Sequence, residues 1–136
     1  MYKTLGDLKP TVYMQNFGKN KLNSNLNKYE SKTSPGYWGP RLWNFLHTSS
    51  LAYPVNPSID VQNKMLTFVN NLPVSLPCMS CQQHAAKYIS QHENQLKEAV
   101  KSREKLFKFF VDFHNSVNKR TNKPTYTYEE ALHFYI

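Results

Sequence analysis

Cysteine is nearly absent from this chain: Cys78 and Cys81 are the only two among 136 residues. Two cysteines three positions apart cannot supply a disulfide framework, and a bridge closing so short a loop constrains little chain entropy. The N-terminus lacks the apolar stretch of a secretory signal, and no apolar run is long enough to span a bilayer. The expectation is a soluble protein that is not secreted by the ordinary route. No alternation of apolar and polar residues is long enough for a sheet, which argues against a thioredoxin-like domain with βαβ units around its Cys-x-x-Cys. Carboxylates are scarce too, with nine Asp and Glu against seventeen Lys and Arg, a formal net charge of +8.

At this length the chain is one domain at most. Residues 1–34 are rich in Lys, Asn, Ser and Thr and show no sustained apolar period, so they read as a flexible leader preceding a folded domain at 35–136. Lys3, Lys9, Lys19, Lys21, Lys28 and Lys32 against Asp7 and Glu30 place half of the net charge in that leader. Its basic character is read as a solubility device, and no nucleic-acid partner is expected.

What the chain does have is Cys78-Met79-Ser80-Cys81, set between Leu76-Pro77 and the helix-forming run Gln82 to Ile89. This places both sulfurs beside the positive end of a helix, where a thiolate is stabilised and thiol–disulfide exchange is fast. Redox work is the leading reading. The competing one is a zinc site, Cys78-x-x-Cys81-x-x-His84 with His92 or His114 as a fourth ligand, in a non-enzymatic helical adaptor. It is disfavoured because structural zinc takes a second close-spaced ligand pair.

The rest of the pattern is helical. Pro40 suits a first turn, and Trp43, Leu46, His47 and Ser50 follow on one stripe to Tyr53-Pro54. Ser58 caps a segment with Val61, Met65, Phe68, Val69 and Leu72 at helical spacing up to Pro73. A third helix runs from the cysteine pair to about Gln91. Ser102 opens the longest, with a stripe of Leu106, Phe110, Phe113 and Val117, closed by Asn122 and Pro124. Thr127-x-x-Glu130 has the spacing of a capping box for a short last helix through Phe134. The predicted fold is all-α: a four-helix bundle with a short fifth helix and a flexible N-terminal leader. Phe107, Phe109 and Val111 point away from the long stripe and need either a second subunit or the fifth helix, which predicts a homodimer.

Gly39, Trp43 and His47 fall at i, i+4 and i+8 on one face, a line that could accommodate an aromatic cofactor, although a core Trp and a satisfied core His explain them as well. His114 and Asn118 share a face at the end of the long helix, with basic residues beyond. Tyr126, Tyr128, Phe134 and Tyr135 read as packing.

Trp38-Gly-Pro-x-x-Trp43-x-x-Leu-His47, Tyr53-Pro54, Leu76-Pro-Cys78-x-x-Cys81 and His114-Asn-x-Val-Asn118 through Lys123-Pro124, in this order, resemble the Erv/ALR family of flavin-linked sulfhydryl oxidases. The resemblance covers roughly residues 37–135 and is nearest to the short members encoded by large DNA viruses. It implies a four-helix bundle holding FAD, commonly as a homodimer, that oxidises dithiols with oxygen and forms hydrogen peroxide. By the same resemblance Cys78 and Cys81 are the active disulfide, with Cys81 facing the flavin and Cys78 receiving the substrate thiolate. Gly39, Trp43, His47, Tyr53 and His84 belong to the flavin pocket, and His114, Asn115, Val117 and Asn118 to the adenosine part. Arg120 and Lys123 lie near the phosphates. A viral member implies the host cytoplasm or the virion as its setting.

The chain departs from the family pattern in lacking a distal shuttle pair of cysteines, so Cys78 is expected to meet a partner protein's dithiol directly or through a small thiol relay protein. It also lacks a bridge around the last two helices. Val111 and Tyr128 stand where that bridge would align, so packing must fix the last helix.

Overall fold

The computed structural model describes residues 32–136, so all but the end of the proposed leader lies outside the described residues. The folded unit runs from Ser34 to Ile136. Six helices build it, with no strand among the described residues: α1 (Pro35–Ala52), α2 (Ile59–Asn71), α3 (Met79–Gln91), α4 (Glu93–Ala99), α5 (Arg103–Arg120) and α6 (Tyr128–His133). One 3-10 turn, Leu72–Ser75, links α2 to the cysteine segment.

The polar caps form where the sequence places them. Ser58 Oγ accepts the Val61 N–H at 3.2 Å, and Ser102 Oγ accepts that of Lys105 at 3.2 Å. Thr127 and Glu130 close a reciprocal capping box, satisfying two donors that a helix start otherwise leaves unpaired. The end of α5 is a Schellman turn. Asn122 adopts a left-handed φ of 56°, the Lys123 N–H reaches the Asn118 carbonyl at 2.8 Å, and the Asn122 N–H reaches Lys119 at 3.4 Å.

The first helix begins a turn earlier than the sequence suggests. Pro35 takes the first-turn position and Pro40 lies inside α1. The missing Pro40 donor deprives only the carbonyl of the exposed Gly36, which water can satisfy. The helix α4 has no counterpart in the sequence reading. Its seven residues are too few to show a period, and it forms because Leu96, Ala99 and Val100 are buried at 0%, 3% and 1% exposure. Phe68, expected in the core, is 39% exposed.

The core gathers Leu46, Val69, Leu72, Ile89, Leu96, Leu106, Phe110 and Phe113. Phe107, Phe109 and Val111 are 5%, 5% and 2% exposed within one subunit, so the apolar need that suggested a partner is met inside the chain. Tyr53 ties the end of α1 down, its hydroxyl donating to the Val100 carbonyl at 2.7 Å while Arg103 Nε donates to the Tyr53 carbonyl at 2.6 Å. No described helix is long and apolar enough to cross a membrane.

Candidate functional site

Helix α3 starts at the cysteines because Cys78 is its N-cap: extended at φ −157°, it lets its sulfur accept the Cys81 N–H at 3.3 Å. The two cysteines are joined as a disulfide, with Cα atoms 5.2 Å apart. They differ in surroundings. Cys81 packs against the core, whereas the Cys78 sulfur lies 3.3 Å from the hydroxyl of exposed Ser80.

Both sulfurs open into a cavity of about 550 Å³ bounded by α1, α3, the end of α5 and the α6 segment. Gly39, Trp43, His47, Cys78, Cys81, His84, His114, Val117, Asn118, Arg120 and Lys123 all line it. Eleven of the thirteen residues singled out from the sequence thus converge on one space. The other two do not line it. Tyr53 is a core residue committed to Val100, and Asn115 holds the chain before α6, donating to the Tyr126 carbonyl at 2.7 Å and accepting the Tyr126 N–H at 3.0 Å. Tyr126, Phe134 and Tyr135, read from sequence as packing, instead form a wall of the cavity, as does Trp38. The signal of the three C-terminal rings was hidden because residues that flank a six-residue helix carry no period that separates a wall from a core.

The walls are flat rings in contact. Trp43 stacks on His114 with centroids 4.3 Å apart and planes 6° from parallel, and meets Phe113 edge-on at 5.3 Å. Phe113 in turn stacks on Tyr88 of α3 at 4.6 Å. These contacts join α1, α3 and α5 through side chains with few rotamers, a rigid frame for another flat group.

His47, 2% exposed, is hydrogen-bonded to His114 across 3.0 Å from Nε2 to Nδ1. Burial holds His47 down to about 4, reinforced by His114; burial also holds His114 down to about 4, reinforced by Lys123. Both rings are therefore neutral at pH 7, one donating and one accepting. His47 Nδ1 is buried with no partner among the described residues. Such an atom costs about 1–3 kcal/mol unless something bound satisfies it. Gly39 is buried as well, yet a Cβ built on it would meet nothing within 4 Å. Open space beside a helix backbone, an orphaned imidazole nitrogen, stacked rings and a basic rim at Arg120 and Lys123 suit a flat, hydrogen-bonding, anionic cofactor.

Among the described residues no group of three or more His, Cys, Asp or Glu is placed to hold an ion. Polar contacts tie α6 to α5: the Tyr128 hydroxyl lies 2.9 and 3.0 Å from the two carboxylate oxygens of Asp112, and Lys108 sits 5.4 Å over the Tyr128 ring.

The chain is 43% identical over 90 residues to a protein of Invertebrate iridescent virus 3 with the provisional name FAD-linked sulfhydryl oxidase 096R, a match covering 66% of this chain and 60% of that one. It is 41% identical over 93 residues to 347L of Invertebrate iridescent virus 6, provisionally named in the same way, covering 66% and 84%. The crystal structure of the yeast Erv1 core superposes with a TM-score of 0.65 at 30% identity, over 71% of this chain and 78% of that one. The Erv1 / Alr family model matches residues 40–135, from the second turn of α1 to the end of the aromatic wall, and the chain belongs to that family.

Proposed function

We propose that the protein is an FAD-dependent thiol oxidase, turning a dithiol and oxygen into a disulfide and hydrogen peroxide. The observation that carries this is the Cys78–Cys81 disulfide at the start of α3, opening into a ring-walled cavity. A substrate thiolate attacks the Cys78 sulfur, and the Cys78–Cys81 bond breaks as the mixed disulfide forms. Cys81 leaves as a thiolate beside the helix start, where the dipole stabilises it. The substrate's second thiolate then attacks its own sulfur in the mixed disulfide. Cys78 departs as a thiolate, stabilised by the Cys81 N–H that already caps it. The substrate leaves oxidised, and its two electrons rest on the cysteine pair.

FAD supplies the two-electron acceptor that restores this disulfide and delivers the electrons to oxygen. Trp43, His47, His114 and Asn118 would hold its flat and polar parts, Gly39 and His84 would bound it, and Arg120 and Lys123 would face its phosphates, with Val117 against its adenosine and Asn115 fixing the Tyr126 wall. The assignment of Cys78 to substrate and Cys81 to cofactor is supported by Cys81's place against the core.

The purified protein should be yellow and should consume oxygen in the presence of dithiothreitol, and Cys78→Ser and Cys81→Ser should each abolish turnover. A colourless protein that oxidises no dithiol after incubation with FAD would overturn the reading. The substrate is a partner protein's dithiol or a small thiol relay protein. The domain spans 35–136 and acts as a homodimer. Exposed Phe45 on α1 and Ile59 on α2, 55% and 70% accessible, support association, and a monomer in sedimentation at micromolar concentration would refute it. Kinship with the iridescent-virus proteins supports a virus-encoded enzyme working in the host cytoplasm or the virion.

A further inference from the structure

The charges are unevenly paired. Among the described residues the ion pairs join Lys64 to Asp60, Lys97 to Glu93, Lys101 and Lys105 to Glu98, and Lys108 to Glu104. Helix α3 contains no Asp or Glu, and α5 contains none after Asp112. Between these two carboxylate-free surfaces lies a second cavity of about 190 Å³, lined by His84 and Lys87 from α3 and by Ser116 and Arg120 from α5. It shares His84 and Arg120 with the cavity that holds the cysteines. Lys87 lines only the second cavity.

We propose that this basic groove is the docking site for an acidic stretch beside the cysteine pair of the dithiol substrate. The inference rests on the thiol-oxidase reading and names the partner's chemistry. Lys87 lies six residues beyond Cys81 on the same helix, about 9 Å along its axis, and about 13 Å beyond Cys78. Nine residues also turn the helix by about 180°, so the path around it is about 20 Å, and at about 3.3 Å per residue an Asp or Glu some five to seven residues from the attacking cysteine reaches Lys87 while its sulfur is at Cys78. Charge complementarity favours this occupant, because a carboxylate there meets Lys87, Arg120 and His84, and no Asp or Glu lines the groove. Such pairing acts first on encounter and register, and so on kcat/KM at low salt.

The test uses the full-length flavin-loaded protein and two synthetic dithiol peptides with the same cysteine spacing, one flanked by Asp and Glu, the other by Gln. The acidic peptide should be preferred severalfold in kcat/KM at low ionic strength, with the preference fading as salt rises. Lys87→Glu should remove or reverse the preference. Flavin content and dithiothreitol turnover should stay at the parent's values. Equal kcat/KM for the two peptides, or a preference that survives Lys87→Glu, overturns the proposal. Loss of flavin in Lys87→Glu also overturns it, by giving the groove to the cofactor's phosphates. Binding of the S-alkylated acidic peptide, followed by fluorescence anisotropy, decides the groove even if dithiothreitol turnover fails. Salt-sensitive binding lost in Lys87→Glu supports it, whereas binding of an oligonucleotide but not the peptide refutes it.

Discussion

Gly39→Ala separates what folding requires at α1 from what binding requires. Gly39 lies inside the helix, and no described glycine has a positive φ, so the backbone does not demand glycine. Alanine is about 0.5–1 kcal/mol more favourable than glycine in a helix interior. The added methyl would meet no protein atom within 4 Å, so no clash offsets this gain. In a domain of roughly 100 residues, a gain of that size raises Tm by about 3–6 °C in cofactor-free protein. The flavin-saturated protein should behave oppositely, because the methyl projects from a cavity wall. A tenfold weaker Kd removes about 1.4 kcal/mol of the stabilisation that a saturating ligand adds, enough to cancel or reverse the helix gain. Thermal unfolding of stripped and FAD-saturated samples, with flavin release followed by fluorescence, gives both signs. A stripped variant less stable than its parent would mean that the methyl meets protein after all. An equal gain in the loaded state would mean that Gly39 does not face the cofactor.

Acid should destabilise the domain through the His47–His114 pair. Both pKa values are depressed to about 4 from 6.5, so the unfolded chain binds more protons between those values, and stability falls as pH drops from about 6.5 to 4, at up to about 1.4 kcal/mol per pH unit for each ring. Urea unfolding across that window should show the slope, and His114→Asn should flatten it. At the left-handed Asn122, alanine should cost about 1 kcal/mol and glycine nothing, measured by the same unfolding. Tyr128→Phe should loosen α6 through the lost Asp112 contact and speed flavin release, with kcat for dithiothreitol in FAD-saturated protein unchanged. Full reduction should cost no more than about 2 kcal/mol, as expected for so short a loop.

The features legible in the sequence were those with a local cause. Ser58, Ser102 and the Thr127–Glu130 box fix their helix starts with side chains that act within one turn, so residue types at fixed offsets suffice to find them. The helix start at the cysteine pair and the helix end at Asn122 are equally local. The cavity's polar residues were legible through motif order, but its aromatic wall was not. Whether Phe134 packs inward or lines a space depends on where α6 lands relative to α5, which no local pattern encodes. The dimer argument from Phe107 and Phe109 failed in the same way, since a second apolar stripe on a long helix reads identically whether a neighbouring element of the same chain or another subunit covers it.

The polar fastening of α6 follows from the chemistry of the site. In the proposed turnover Cys78 and Cys81 alternate between disulfide and dithiol, in contact with substrate thiols that exchange with any accessible bridge. A structural disulfide beside the cavity would itself be a target for those thiols whenever the last helix opened. Here the wall carrying Tyr126 and Tyr135 is held by the two Asn115 hydrogen bonds, the Tyr128–Asp112 contact and the Thr127 capping box, none of which a thiol can attack. With Cys78 and Cys81 the only two cysteines in the chain, reduction reaches one bond, and that bond lies in the first turn of α3, away from the contacts that shape the cavity's far wall. The cysteine pair can thus change redox state repeatedly while the surfaces proposed to hold the cofactor keep their positions.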